Sequence, residues 1–253
     1  MVDRNTLCTW LDALFAEVGK VEDGSNNGLQ VEGTSDVRRI AFGVDACQAL
    51  FEKANDWGAD LVFVHHGLSW GSGFRRICGL EARRFGTLLR NDISLYASHL
   101  PLDAHPEIGH NALIARMLEL QDCEPACEYG GLCIGQIGTL PGPLLLDELA
   151  DKVGTLLETE CQTIDTGGAP ISRVVVVSGH GSGSLADCAS LGVDCLVTGE
   201  IEHQDYHPAH ELGISIVAAG HYRSEIPGVK AVMERIRADH GVECLFFDIP
   251  TGM

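Results

Sequence analysis

Two short segments of this 253-residue chain carry side chains whose types and spacing suit metal chemistry. In VFVHHG, His65 and His66 stand side by side after an apolar run; in AAGHYRSE, His221 and Glu225 lie four residues apart after another. Asp103, in ASHLPLD, adds a second carboxylate at the same kind of position, just past a strand-like run. Neutral imidazole and carboxylate suit zinc, iron, manganese, nickel or cobalt, and a set without thiolate is a poor home for copper(I) or an iron–sulfur cluster. Five such ligands shared by two divalent ions leave open positions, which point to catalysis or substrate binding rather than to structure. Water between ions about 3.5–4 Å apart is hydroxide-like near neutral pH and can attack an electrophilic carbon or phosphorus. His99 precedes Asp103 and reads as a ligand, a hydrogen-bonding neighbour of one, or a core residue.

The elements that must position these residues repeat. RIAFGVDACQALFEKANDWGADLVFVHHG from Arg39 and RVVVVSGHGSGSLADCASLGVDCLVTGEI from Arg173 share an order: Arg, apolar run, helical segment, Gly, Asp, second apolar run. Arg39 to Asp60 and Arg173 to Asp194 are both 21 residues apart. The match continues into ISLYASHLPLD and ISIVAAGHYRSE, where His99 and Asp103 mirror His221 and Glu225, and it places Glu200 opposite His66. Strand, helix, strand twice over is the pattern of parallel βαβ units. The expected fold class is α/β: two similar, interwoven halves with largely parallel or mixed sheets, divided at about 1–125 and 126–253. Functional residues of open α/β sheets gather beyond the carboxyl ends of the strands, so a cleft between the halves is the expected metal site.

Composition sets limits. Thirty-six acids against seventeen bases give a formal charge of −19, which disfavours nucleic acid as a partner. No stretch reaches the ~18 apolar residues of a membrane span. The start, through Lys20, reads as an amphipathic helix with Leu7, Leu11, Leu14, Phe15 and Val18 on one face, not as a secretory signal. Ten cysteines without a disulfide framework fit a cytoplasmic protein, and Cys123, Cys127 and Cys133 read as small hydrophobes rather than zinc ligands.

Three further features bear on substrate. Arg75, Arg76, Arg83, Arg84 and Arg90 fall within sixteen positions of this acidic chain, and either hold an anionic substrate such as a nucleoside triphosphate or face solvent or a subunit. SGHGSGSLAD, from Ser178, is a phosphate-binding turn or simply a tight one. His203, His207 and His210 are spaced as on a helix face, but Pro208 interrupts it and a solvated or site-lining helix is the reading adopted.

NNGLQVEG, VFVHHGLSWG, SHLPLDAHPEIGHNA, VTGEIEHQDYHPAHELG and AAGHYRSEIPGVKAV, in that order, resemble the blocks of the Nif-three-like family of dinuclear-metal proteins, often labelled GTP cyclohydrolase type 2 homologues. The resemblance spans essentially the whole chain. It implies a metal pair held by His65, His66, Asp103, His221 and Glu225, with the two acids bridging, and a toroidal homohexamer built as a trimer of dimers. It also implies a reaction in which activated water opens the guanine imidazole ring and formate leaves, with His99 as a proton shuttle. Ser224, Ile226 and Pro227 depart from the family's usual residues. The alternative reading is a non-catalytic protein whose ring-shaped assembly stores, delivers or senses metal.

Overall fold

The computed structural model describes residues 1–74 and 76–253 as a mixed α/β chain. Two compact units share it: Met1–Leu102 with Gly228–Ile249, and Asp103–Pro227 with Pro250–Met253. The division expected at 125/126 falls inside a strand, and the C-terminal helix carries the chain back into the first unit.

The first unit runs β1 (Val2–Asp3), α1 (Arg4–Ala16), β2 (Gly28–Val31), β3 (Asp36–Val37), β4 (Arg39–Asp45), α2 (Gln48–Trp57), β5 (Leu61–His66), α3 (Leu80–Arg90), β6 (Ser94–Ala97) and α4 (Leu100–Asp103), whose last residue opens the second unit. The second unit continues through α5 (His110–Met117), β7 (Gln121–Tyr129), β8 (Leu132–Leu144), α6 (Leu146–Leu157), β9 (Gln162–Ile164), β10 (Ile171–Val177), α7 (Leu185–Leu191), β11 (Cys195–Thr198), α8 (Tyr206–Leu212), β12 (Ser215–Ala218) and α9 (His221–Ser224). α10 (Ile226–His240) then leads to β13 (Glu243–Phe246), which lies parallel to β4.

The sheet orders, β13-β4-β5-β6-β2 and β7-β8-β10-β11-β12-β9, contain the same unit twice. β4, β5 and β6 are parallel and β2 antiparallel, as β10, β11 and β12 are parallel and β9 antiparallel. Even the register repeats: Ile40 faces Leu61 as Val174 faces Cys195, and Leu29 faces Tyr96 as Thr163 faces Val217.

The Arg-to-Asp spacing in the sequence has a physical cause. The Asp60 carboxylate accepts the backbone N–H groups of Arg38 and Arg39 at 2.7 and 3.0 Å, and Asp194 accepts those of Ser172 and Arg173 at 2.8 Å each. Each Asp therefore ties the start of one parallel strand to the start of the next. The Gly two residues earlier ends the intervening helix in the left-handed region, Gly58 at φ 76° and Gly192 at φ 64°, where a Cβ is strained.

Parallel strands covered on both faces read as continuous apolar runs. In the first unit Val62, Val64 and Leu95 pack with Phe51, Phe85 and Leu88 of α2 and α3, while Phe63 stacks with Phe15 and Tyr96. Leu7, Leu11, Leu14 and Phe15 of α1 are buried as expected; Val18 lies beyond the helix end and is only half-buried. In the second unit Val174 and Val176 meet Leu149 and Val153 of α6, and Val175 and Val177 meet Leu185 and Cys188 of α7. Cys127 belongs to that latter core, whereas Cys123 is exposed. Among the described residues no helix is long and apolar enough to cross a membrane.

Candidate metal centre

His65 and His66 end β5, and His99 follows β6, so three imidazoles of the first unit stand at the carboxyl end of neighbouring parallel strands. Their ring centroids are 4.6, 5.1 and 5.5 Å apart, and a ligating nitrogen from each lies within 4.8 Å of the others. Each ring is fixed at Nδ1 by an oxygen: the Ser98 carbonyl for His65 at 2.9 Å, Asp45 for His66 at 2.8 Å and Asp23 for His99 at 2.7 Å. A carbonyl or carboxylate only accepts, so Nδ1 carries the proton and Nε2 is the lone-pair nitrogen of the neutral ring. Metal-ligating histidines are held in this way.

Asp23 sits at the centre of a small network. It accepts from the Ser25 and Leu100 backbone N–H groups and the Asn27 amide, as well as pairing with His99. Burial is the largest influence on its carboxyl and pulls the pKa upward, but the bond and charge of His99, with the Ser25 and Asn27 bonds, outweigh it and hold the group below its ordinary value.

In the second unit His221 opens α9, one residue past Gly220, with Nδ1 2.7 Å from Glu200 and Nε2 3.1 Å from Glu225. Burial disfavours charge on this ring, yet the Glu225 and Glu200 carboxylates prevail and lift its pKa from 6.5 to about 9. Without a metal His221 is therefore an imidazolium at neutral pH. A cation at Nε2 takes the place of that proton, so the pair suits a metal as well as an ion pair.

Asp103 and Glu225, both buried, converge on one turn. The Ser178 hydroxyl donates to Asp103 at 3.0 Å, and the next residue, Gly179, adopts φ 60° and leaves no room for a side chain: a Cβ there would fall 2.3 Å from Glu225 Oε1. A carboxylate oxygen of Asp103 also comes within 4.8 Å of a His110 ring nitrogen. The Gly-rich turn gives its N–H groups to side chains: Ser178 to Asn111, Gly179 to Ser224 and Gly181 to Thr198. Those bonds make it a scaffold for the acids and leave the tight-turn reading in place of the phosphate one. Ser224, one of the residues that depart from the resembled family, accepts from Gly179 and donates to the His221 carbonyl, so its hydroxyl carries the structural work there.

Arg83 and Arg84 lie on α3, Arg83 exposed and Arg84 half-buried; Arg76 is exposed ahead of that helix, and Arg75 lies outside the described residues. His203, His207 and His210 are exposed on or beside α8, as a solvated helix requires. A cavity of about 540 Å³ in the second unit borders Glu200, but Glu158 and Glu160 join that acid against Arg223, a poor balance for a polyanion. Sequence reasoning missed Asp23, Asp45 and the bond from Ser178 to Asp103. Short-range spacing holds no signal for them, because each meets its partner only through the sheet.

Fold and site define a class: a duplicated α/β protein whose strand ends present histidines and carboxylates able to hold metal. The chain belongs to the Duf34/NIF3 (NGG1p interacting factor 3) family, whose model matches residues 2–252. It is 43% identical to a Deinococcus radiodurans protein named GTP cyclohydrolase 1 type 2 homolog, over all of this chain and 95% of that one. A Pyrococcus abyssi protein of the same name is 42% identical over the full length of both. Among solved structures, a Thermus thermophilus protein superposes with a TM-score of 0.90 at 40% identity, covering 100% of both chains. A protein titled ybgI, of unknown function, superposes at 0.93 with 36% identity and the same coverage.

Proposed function

We propose that this chain is a dinuclear metal-dependent hydrolase of the GTP cyclohydrolase type 2 kind, opening the imidazole ring of a guanine nucleotide. His65, His66, Asp103, His221 and Glu225 would hold two divalent transition ions in this reading. One observation carries it: His65, His66, His99 and His221 each have Nδ1 tied to an oxygen, the orientation in which Nε2 serves as a ligand or proton carrier. Bound there, the ions would supply Lewis acidity and an acidified water. His99, backed by Asp23, takes up or returns a proton at Nε2 as the ring opens and C8 leaves as formate. Arg76, Arg83 and Arg84 draw the triphosphate toward an otherwise acidic protein, a role also proposed for Arg75.

The functional particle on this reading is a cytoplasmic, ring-shaped homohexamer. Protein loaded with zinc, iron, manganese, nickel or cobalt, incubated with GTP, should release formate and change the purine absorbance. Stoichiometric metal with no formate would sink the hydrolase reading and favour a metal-handling or scaffold role. Replacing Arg83 and Arg84 with Ala should raise KM for GTP severalfold with a smaller change in kcat; unchanged kinetics would remove them from the substrate site.

A further inference from the structure

Trp70 is a large aromatic residue that the fold fixes in place and leaves partly exposed. Its indole N–H donates to the Gly67 carbonyl at 2.9 Å, so the ring's polar edge is satisfied. The surrounding loop is pinned on both sides. Gly71 N–H donates to Gly24, Asn26 N–H donates to Ser69, and Ser25 pairs with Trp70 as an antiparallel bridge. The Gln30 side-chain oxygen accepts the N–H groups of Leu68 and Ser69 at 2.7 and 3.1 Å. Despite this anchoring, 40% of Trp70 is exposed.

The chain's other tryptophans are half-buried, Trp10 against His240 and Trp57 against Phe247 and under the Arg39 guanidinium. Trp70 is the more exposed ring and its neighbours are the candidate centre's imidazoles, its centroid 5.0 Å from His99 at 70° and 6.2 Å from His66 at 40°. An exposed indole leaves apolar area in water, and a rigid one loses little conformational entropy when something flat covers it.

We infer that Trp70 is the stacking platform that receives the planar heteroaromatic ring of a nucleobase substrate and sets it beside His66 and His99. The inference rests on the reading of those histidines as part of the reactive centre, and it names what that reading left open: how an acidic site without a guanine-specific motif selects its substrate. Stacking tolerates any flat ring, so selection for planarity comes from Trp70 and charge recognition from elsewhere.

The test compares metal-loaded wild type, Trp70→Phe and Trp70→Ala by calorimetric titration with guanosine, adenosine and cytidine, and with inorganic tripolyphosphate as a ring-free control. Guanosine and adenosine should bind the wild type, with the Phe variant within a few fold and the Ala variant about 10-fold or more weaker; tripolyphosphate affinity should be the same in all three. Equal guanosine affinity in Trp70→Ala would overturn the inference, as would equal losses for guanosine and tripolyphosphate or no nucleoside binding to the wild type. A changed oligomeric state in Trp70→Ala with nucleoside affinity intact would assign the ring to a subunit contact instead. Formate release from GTP, measured in parallel, separates the two proposals: nucleoside binding that depends on Trp70 without formate sinks only the hydrolase, and formate production with KM unchanged in Trp70→Ala sinks only the platform.

Discussion

At the scale of single residues, the candidate centre depends on groups that hold its ligands still. Ser224 is the sharpest case, because its hydroxyl spans Gly179 N–H and the His221 carbonyl while almost fully buried. Ser224→Thr keeps that hydroxyl and should retain metal, whereas Ser224→Ala leaves a buried N–H unpaired, costs about 1–3 kcal/mol and should lower metal content by elemental analysis. Equal metal in both variants would rule out the hydroxyl's role. Gly179→Ala should do more damage, since its new Cβ would overlap Glu225 and force a positive φ on a side-chain-bearing residue. Asp23 supplies a pH test. Its folded pKa is depressed, so its stabilising contribution is complete above its unfolded pKa, about 4, and is lost as pH falls through the lower folded value. The urea midpoint of Asp23→Asn should therefore fall less steeply than that of wild type below about pH 4; parallel slopes would deny the pair with His99 any part in acid stability.

Elements are positioned by devices that the duplication uses twice. Asp60 and Asp194 each accept two backbone N–H groups at the start of a parallel strand, where an unclamped strand end would fray. Hydrogen bonds to a charged acceptor are worth about 1.5–3 kcal/mol, so Asp194→Ala should lower the unfolding free energy by about 1–3 kcal/mol in urea titration. Asp60→Ala should match it to within a factor of two, and a much smaller effect at either would show that the repeat is a remnant without energetic weight. The helices between these strands end at Gly58 and Gly192, which let the chain reverse into the strand whose far end carries His66 in one unit and leads to Glu200 in the other.

For the whole molecule, a formal charge of −19 means that divalent cations bound as proposed would relieve repulsion as well as fill coordination sites. Removing them with a chelator should lower Tm, and saturating metal at about 100 times Kd should restore about 2.7 kcal/mol. An unchanged Tm in protein shown to be metal-free would argue against resident ions. Light scattering after size exclusion should return six times the chain mass on the proposed assembly, and a monomer would refute it.

The sequence by itself determined the local and the periodic. Apolar runs ending in His66 and leading to His221 and the recurring Gly and Asp all follow from short-range pattern and backbone geometry. Only the tertiary structure decided that β2 and β9 extend the repeat, since GLQV and QTI share no residue pattern and are matched solely by register. It also decided which groups orient the histidines, because Asp45, Asp23 and Glu200 reach them across 21 to 76 positions of chain. Only the folded loop sets Trp70 against His99. Spacing along a strand or helix fixes which residues share an end, whereas a hydrogen bond between distant strands exists only once the sheet has closed the intervening loop.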